Sequence, residues 1–317
     1  MKYLKLFKTD AEYQQFIGGG GDEFLKPNVS LVTDTNSLFY NPMEEELPYL
    51  TITALEDNFQ IELPNRYITP YCSLNRTEWV ECEDGISPII NSGEKIYIKG
   101  IMQQGINRNV GSFYTEQRFN LSGNVMSMIF GDEAEGKTDL TGYDGCFTNL
   151  FQNCTGLVSV SKNFLPATIL SENCYDAMFD GCTSLIQAPE LPATTLAASC
   201  YYNMFQYCTS LIQAPELPAT TLANSCYMGM FQECPLLLQA PELPATNLAD
   251  WCYDAMFAGC TSLNYIKMLA TDISAPNCLT YWVSNVSETG TFVKSADATW
   301  NVTGKSGIPT GWIVETV

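Results

Sequence analysis

The chain has 317 residues, enough for about two domains, and its 46% hydrophobic content supplies real cores, which excludes a wholly disordered protein. Only 16% of the residues are charged, and 35 acidic against 15 basic residues give a net charge of −20. The surface must therefore be largely neutral and polar, and its negative field disfavours nucleic acid as a partner. The sequence contains no histidine, which removes the commonest general base and the imidazole ligands of zinc.

The first 43 residues predict a short strand at Tyr3–Phe7, a short helix that ends at the glycine run 18–21, and a hairpin around Asp34. The lysines near the start precede no apolar stretch of about 7–15 residues, so no signal peptide is predicted. No run approaches the roughly 18–20 apolar residues of a membrane span. We therefore expect a protein that is made in the cytoplasm, does not insert into membranes, and stays there or leaves by cell lysis.

Residues 44–122 predict a small antiparallel β-sandwich of immunoglobulin-like type. Short β-rich runs recur there at spacings of about 8–12 residues and are separated by turn residues. Cys72 and Cys82 lie in two of these runs. The sequence leaves open whether they pair, although reduced thiols are the usual state in a cytoplasm.

The second half of the chain is a tandem repeat of 26 residues. Two cysteines in each unit recur at that step, and the octapeptide QAPELPAT recurs in three units. Degenerate units around Cys146 and Cys278 flank the full ones. Atypical terminal units are expected of a capped solenoid, since its end repeats must present a polar outer face.

Each unit predicts a short helix followed by a short strand. Cys174, Met178 and Cys182 fall at i, i+4 and i+8, which is one face of a helix. Residues 185–191 form an extended segment, and its prolines remove hydrogen-bond donors, so the strand should be short or bulged. A strand and a helix within 26 residues match the size of leucine-rich repeats. The predicted fold class is therefore an α/β leucine-rich-repeat solenoid at 123–285, preceded by the sandwich and closed by a C-terminal β cap at 286–317.

The repeated cysteines predict a buried structural ladder. Disulfides between equivalent cysteines of stacked repeats would be strained because the side chains run parallel, and free cysteine packs well as a small apolar group. Disulfides and a metal site remain as less favoured alternatives. The ladder consists of Cys146, Cys154, Cys174, Cys182, Cys200, Cys208, Cys226, Cys234, Cys252, Cys260 and Cys278.

The repeats also place polar side chains in rows. No lysine or arginine lies between Asn163 and Ile266. The glutamate row suits cations or a glycan, but a solvated row is the favoured interpretation; the recurring tyrosines favour packing over a sugar platform. No catalytic constellation, metal site or cofactor site is predicted. The candidate binding surface consists of Gln187, Glu190, Gln213, Glu216, Gln239 and Glu242, and the tyrosine row of Tyr175, Tyr201, Tyr227 and Tyr253.

The repeat units resemble the BspA-like leucine-rich repeat proteins of Bacteroidetes. The family core A-F-x-G-C-T-S-L is matched most closely by MFDGCTSL at 178–185 and MFAGCTSL at 256–263. The resemblance covers about residues 125–285 and implies strands richer in β-branched residues than the APELP segment found here. Many proteins with similar repeats are cell-surface adhesins.

The opening MKYLKLFKTDAEYQQFIGG, with KPNVSLVTDTNSLFYNP after it, resembles a leader of virion structural proteins of bacteriophages that infect gut Bacteroidales. That resemblance implies that residues 1–43 dock an interchangeable outer module onto other virion proteins. The alternative is that these residues are simply the first elements of the sandwich domain.

Together these features predict a non-enzymatic phage virion protein, tail-associated, fibre-like or capsid-decorating, which displays the repeats for attachment to a host surface protein or glycan. Because fibre-like virion parts are commonly symmetric, a homo-oligomer is expected. The alternative is a Bacteroidetes cell-surface adhesin, against which the missing signal peptide argues. An enzyme acting on surface glycans has little support.

Overall fold

The structure is a computed structural model and describes residues 48–82, 84–102 and 109–317. The strand, helix, hairpin and docking role predicted for residues 1–43 lie outside the described residues. Residues 46–317 form one compact unit. Its strands are β1 Leu50–Ala54, β2 Tyr71–Ser73, β3 Val80–Glu81, β4 Lys95–Lys99, β5 Phe119–Ser122, β6 Leu157–Val160, β7 Tyr265–Met268, β8 Thr291–Lys294 and β9 Ile313–Thr316.

A six-stranded sheet, ordered β3-β2-β4-β1-β5-β6, forms the N-terminal part. Apolar residues alternate in the central strands, so that Ile52, Ile96 and Ile98 face the core while their neighbours face outward. The strands from β1 to β5 pair antiparallel. The second layer that an immunoglobulin-like sandwich requires is represented in the described residues by isolated bridges, such as Phe59 with Ile90.

The sheet continues directly into the repeats. Strand β5 pairs in parallel with β6, which belongs to the first, degenerate unit. Gly156, just before β6, leaves no room for a Cβ atom against the backbone of Gln117. The hydrophobic core is likewise continuous from Leu50 to Trp312. The expected boundary at 122/123 is therefore a change of architecture within one compact unit.

The repeats contain successive tight turns where a short α-helix was predicted. In the described part of the chain the α-helix is limited to Ser127–Phe130, with 3₁₀ turns at Gly131–Glu133 and Lys162–Phe164. From Asn173 to Gly181 every fourth residue has a positive φ, at 55°, 49° and 73°. Glycine and asparagine tolerate that conformation and form helices poorly, so this composition favours turns over a helix.

The turns are hydrogen-bonded both locally and to the next repeat. The N–H groups of Cys174, Asp176 and Met178 each donate to the carbonyl three residues earlier. The residues between them donate forward instead: Tyr175 N–H reaches the carbonyl of Cys200 at 3.0 Å and the next such donors follow the same step. Half of the turn donors thus depend on a neighbouring repeat. The period of four residues also puts Cys174, Met178 and Cys182 on one buried side, as a helix would have done.

The extended segments stack in parallel through single bridges. Gln187 bridges to Ser159 and to Gln213, and Gln239 bridges to Tyr265 in β7. Prolines at the APELP positions remove backbone donors, which explains why these segments form isolated bridges and not long strands. At the C-terminal end β7, β8 and β9 form a regular parallel sheet, in the region predicted as a β cap.

Two columns of stacked rings fill the core of the array. The tyrosine column has centroid separations of 5.8–6.0 Å, and the phenylalanine column has separations of 5.6–5.7 Å. Phe113 stacks on Phe151 at one end, and Trp282 packs on Tyr253 and Phe257 at the other. The columns are thus closed at both ends by aromatic residues that lie outside the full repeats. None of the helices in the described part of the chain is long and apolar enough to cross a membrane.

Candidate functional site

The glutamine row lies on the exposed side of the extended segments. Gln187, Gln213 and Gln239 are all solvent-exposed, and the backbone bridges at these positions bring their side chains out beside one another. The row ends at Ser159 on one side and at Tyr265 on the other. The array therefore presents a line of neutral groups that both donate and accept hydrogen bonds.

The glutamate row is flanked by lysines that the sequence analysis did not associate with it. Lys162 Nζ lies 3.7 Å from Glu190, and Lys267 Nζ lies 2.9 Å from Glu242. Glu216 lies between these two exposed pairs in the repeat order. The signal was available, because Lys162 precedes Glu190 by 28 residues and Lys267 follows Glu242 by 25, close to the repeat step.

The lysines change what the glutamate row can do. The hydrogen bond to Glu242 raises the pKa of Lys267, which keeps this end of the row a charged pair. Among the described residues no group of three or more Cys, Asp or Glu side chains is arranged to hold a metal ion. The row is a mixed-charge, hydrogen-bonding surface, which is the solvated alternative more than the cation-binding one.

The cysteines are free and buried. Burial raises the pKa of Cys154, Cys200 and Cys260 to about 12, so these thiols stay protonated. A protonated thiol is neither a nucleophile nor a metal ligand. The cysteine row is thus part of the packing.

The second cysteine of each unit also has a hydrogen-bonding role. Cys182 Sγ donates to the carbonyl of Phe151 at 3.1 Å, and Cys208 Sγ donates to that of Phe179 at 3.2 Å. Cys234 and Cys260 repeat the contact at 3.1 and 3.0 Å. The thiol is a small apolar group with one weak donor, which explains cysteine at a position that alanine or valine could fill by size alone.

The tyrosine row lies inside the core. Each ring from Tyr175 to Tyr253 is 1% exposed and stacks on its neighbour. These rings are therefore unable to act as a sugar platform on the outside. Tyr175 Oη is buried and has no hydrogen-bond partner among the described residues.

Acidic and amide side chains line the turn side of the array. Gln152 Nε2 donates to Asp180 at 2.9 Å, and Gln206 Nε2 donates to Gln232 at 2.9 Å. Burial, and then the nearby Asp180, raise the pKa of Asp176 to about 6. This side is again polar with little charge.

Comparison of the chain with protein-family models, with curated proteins and with solved structures finds no match. The chemical character of the site therefore rests on its geometry. The thiols and tyrosines are inside, and the outer rows consist of amides, hydroxyls and paired charges. Such a surface is suited to binding an extended partner through many hydrogen bonds.

We expect Tyr175→Phe to raise the free energy of unfolding by up to about 1 kcal/mol, because it removes a buried hydroxyl without a partner while the stacked ring stays. Tyr175→Ala should lower it by about 3–5 kcal/mol by opening a cavity. Chemical denaturation of the two variants checks this. A clear loss of stability in Tyr175→Phe would contradict the unpaired placement of the hydroxyl.

The raised pKa of Asp176 predicts a pH dependence. An acid whose pKa is higher in the fold than its ordinary value of 3.8 favours folding when protonated, so that stabilisation is complete below about pH 3.8 and is lost as the pH rises through about 6. Asp176→Asn should match the wild type near pH 4 and exceed its stability by about 1 kcal/mol above pH 7, after allowance for solvent screening.

Thermal denaturation across this pH range measures the effect. Asp139→Asn is the control, because hydrogen bonds from Thr141 lower the pKa of Asp139 and the variant should lose stability as the pH rises above 4. Equal pH profiles for the wild type and Asp176→Asn would show that Asp176 is not held in its protonated form.

Proposed function

We propose that this chain is a non-enzymatic structural protein of a bacteriophage virion and that its repeat array is displayed for attachment to the surface of a Bacteroidales host. The observation that carries the display role is the division of the array. Its reactive side chains are buried as neutral groups, while identical polar side chains recur outside at every repeat. A repeat array of this kind offers a broad regular surface, which fits an extended ligand better than a small substrate.

The virion location rests on the resemblance of residues 1–43 to phage virion leaders. In this proposal that segment docks the chain onto other virion proteins, and the sheet at 50–122 supports the array. The partners are these virion proteins and a host surface protein or glycan. A symmetric homo-oligomer would multiply the binding surface and convert weak single contacts into strong attachment.

We further propose that the array belongs with the BspA-like leucine-rich-repeat solenoids. The in-register hydrogen bonds and ring columns support a stack of repeats. The turn segments, which stand where a leucine-rich repeat of α/β type has its helix, depart from that class.

The second candidate is a cell-surface adhesin of a Bacteroidetes bacterium, which the repeat resemblance favours. The same outer surface would serve either role, since both require attachment without chemistry. The two candidates differ only in where the protein is found.

Mass spectrometry of gradient-purified phage particles tests the proposal. We expect this protein in a fixed ratio to the major capsid protein, with an abundant host cytoplasmic protein absent as the control. Its absence from particles, together with its presence in the outer-membrane fraction of uninfected cells, would contradict the virion role and favour the adhesin.

A further inference from the structure

Two exposed aromatic residues on the turn side of the array depart from the repeat pattern. Trp251 is 41% exposed and Tyr281 is 49% exposed. Both have left-handed backbone conformations, with φ of 59° and 51°. Bulky side chains are uncommon in that region because their Cβ crowds the following carbonyl.

The other repeats show what these positions ordinarily hold. The residues equivalent to Trp251 are Asn173, Ser199, Ser225 and Asn277, and those equivalent to Tyr281 are Ala177, Asn203, Gly229 and Ala255. Small or amide side chains therefore suffice for the turn itself. A large ring at these two positions adds strain and exposed apolar area and contributes nothing that the turn requires.

The two residues lie close together on the array. Ala255 comes one turn after Trp251, and its N–H donates at 2.9 Å to the carbonyl of Thr280, the residue before Tyr281. Trp251 and Tyr281 are therefore one turn and one repeat apart. Lys305 Nζ lies 4.1 Å from the centroid of the Tyr281 ring, and Ser306 Oγ accepts the N–H of Tyr281 at 3.0 Å.

We propose that Trp251 and Tyr281 form a binding site for a neutral glycan chain on the turn side of the array. This inference rests on the proposed attachment function and names its ligand class. The negative face of an aromatic ring attracts the partly positive C–H groups of a sugar ring. Tryptophan and tyrosine also provide large contact areas at little cost in side-chain entropy.

The surroundings favour a glycan over a protein partner. The rings stand apart in a neutral polar setting that includes Asn277, Thr280 and Ser306, whose hydrogen-bonding groups match sugar hydroxyls. A protein interface needs about 1,000 Å² or more, with an apolar centre, whereas Trp251 and Tyr281 form two separate contacts. The chain's net charge of −20 opposes acidic polymers and favours a neutral glycan.

The test uses the full-length protein with Trp251→Ser and Tyr281→Asn, which introduce residues that other repeats carry at the same positions. Binding is measured by calorimetry against neutral capsular polysaccharide isolated from Bacteroidales strains, and by flow cytometry on cells of those strains before and after periodate oxidation of their glycans. We expect each variant to bind at least tenfold more weakly while its melting temperature stays equal to or above that of the wild type.

Tyr207→Gly is the matched control. Tyr207 is 48% exposed with a φ of 57°, but it lies two repeats away from Trp251. This variant should relieve the same kind of strain and keep full binding.

The outcomes separate this inference from the proposed function. Wild-type binding that both variants retain overturns the site but leaves host attachment standing. Cell binding that survives periodate oxidation overturns the glycan in favour of a protein partner. No binding to any neutral polysaccharide of the set overturns the inference even if the protein is found in particles, whereas variant-sensitive binding supports it even if the protein is found on cells.

Discussion

The hydrogen bonds between neighbouring repeats are the constraint on which the rest of the structure depends. Within each turn segment, half of the backbone donors have a partner in their own repeat and the other half, such as Tyr175 N–H, reach the next one. A single repeat would leave those donors unsatisfied, and an unpaired buried donor is costly. The repeats therefore form as a stack, and the 5.6–6.0 Å ring columns and the row of thiol donors follow from that register.

The 26-residue step in the sequence was enough to predict which residues lie side by side. It was not enough to predict the backbone between them, because a four-residue turn and an α-helix both place Cys174, Met178 and Cys182 on one side. The recurring glycine, asparagine and serine at every fourth position carried the missing information. The lysines beside the glutamate row were overlooked because they lie outside the QAPELPAT segments. Trp251 and Tyr281 were overlooked for the opposite reason, since a single departure from a repeat has no period.

The same architecture separates stability from binding. Cysteine, tyrosine and phenylalanine supply the packing and are identical or nearly so from repeat to repeat, so the inside leaves little freedom for change. The outer positions of each turn need only a residue that tolerates a positive φ or faces solvent. They can vary without disturbing the hydrogen bonds between repeats. An attachment protein gains from this arrangement, because its binding side chains can change while the stack that presents them stays the same.

Removal of one whole repeat tests the central claim, in-register stacking, most directly. A variant that lacks Cys200–Ser225 keeps every interface type and retains Trp251 and Tyr281. We predict that its thermal unfolding, followed by circular dichroism, remains a single cooperative transition. A variant that lacks only Cys200–Ile212 loses half as many residues but removes one repeat's entire turn segment, and it should fail to fold. Equal tolerance of both deletions, or failure of the whole-repeat deletion, would contradict the account.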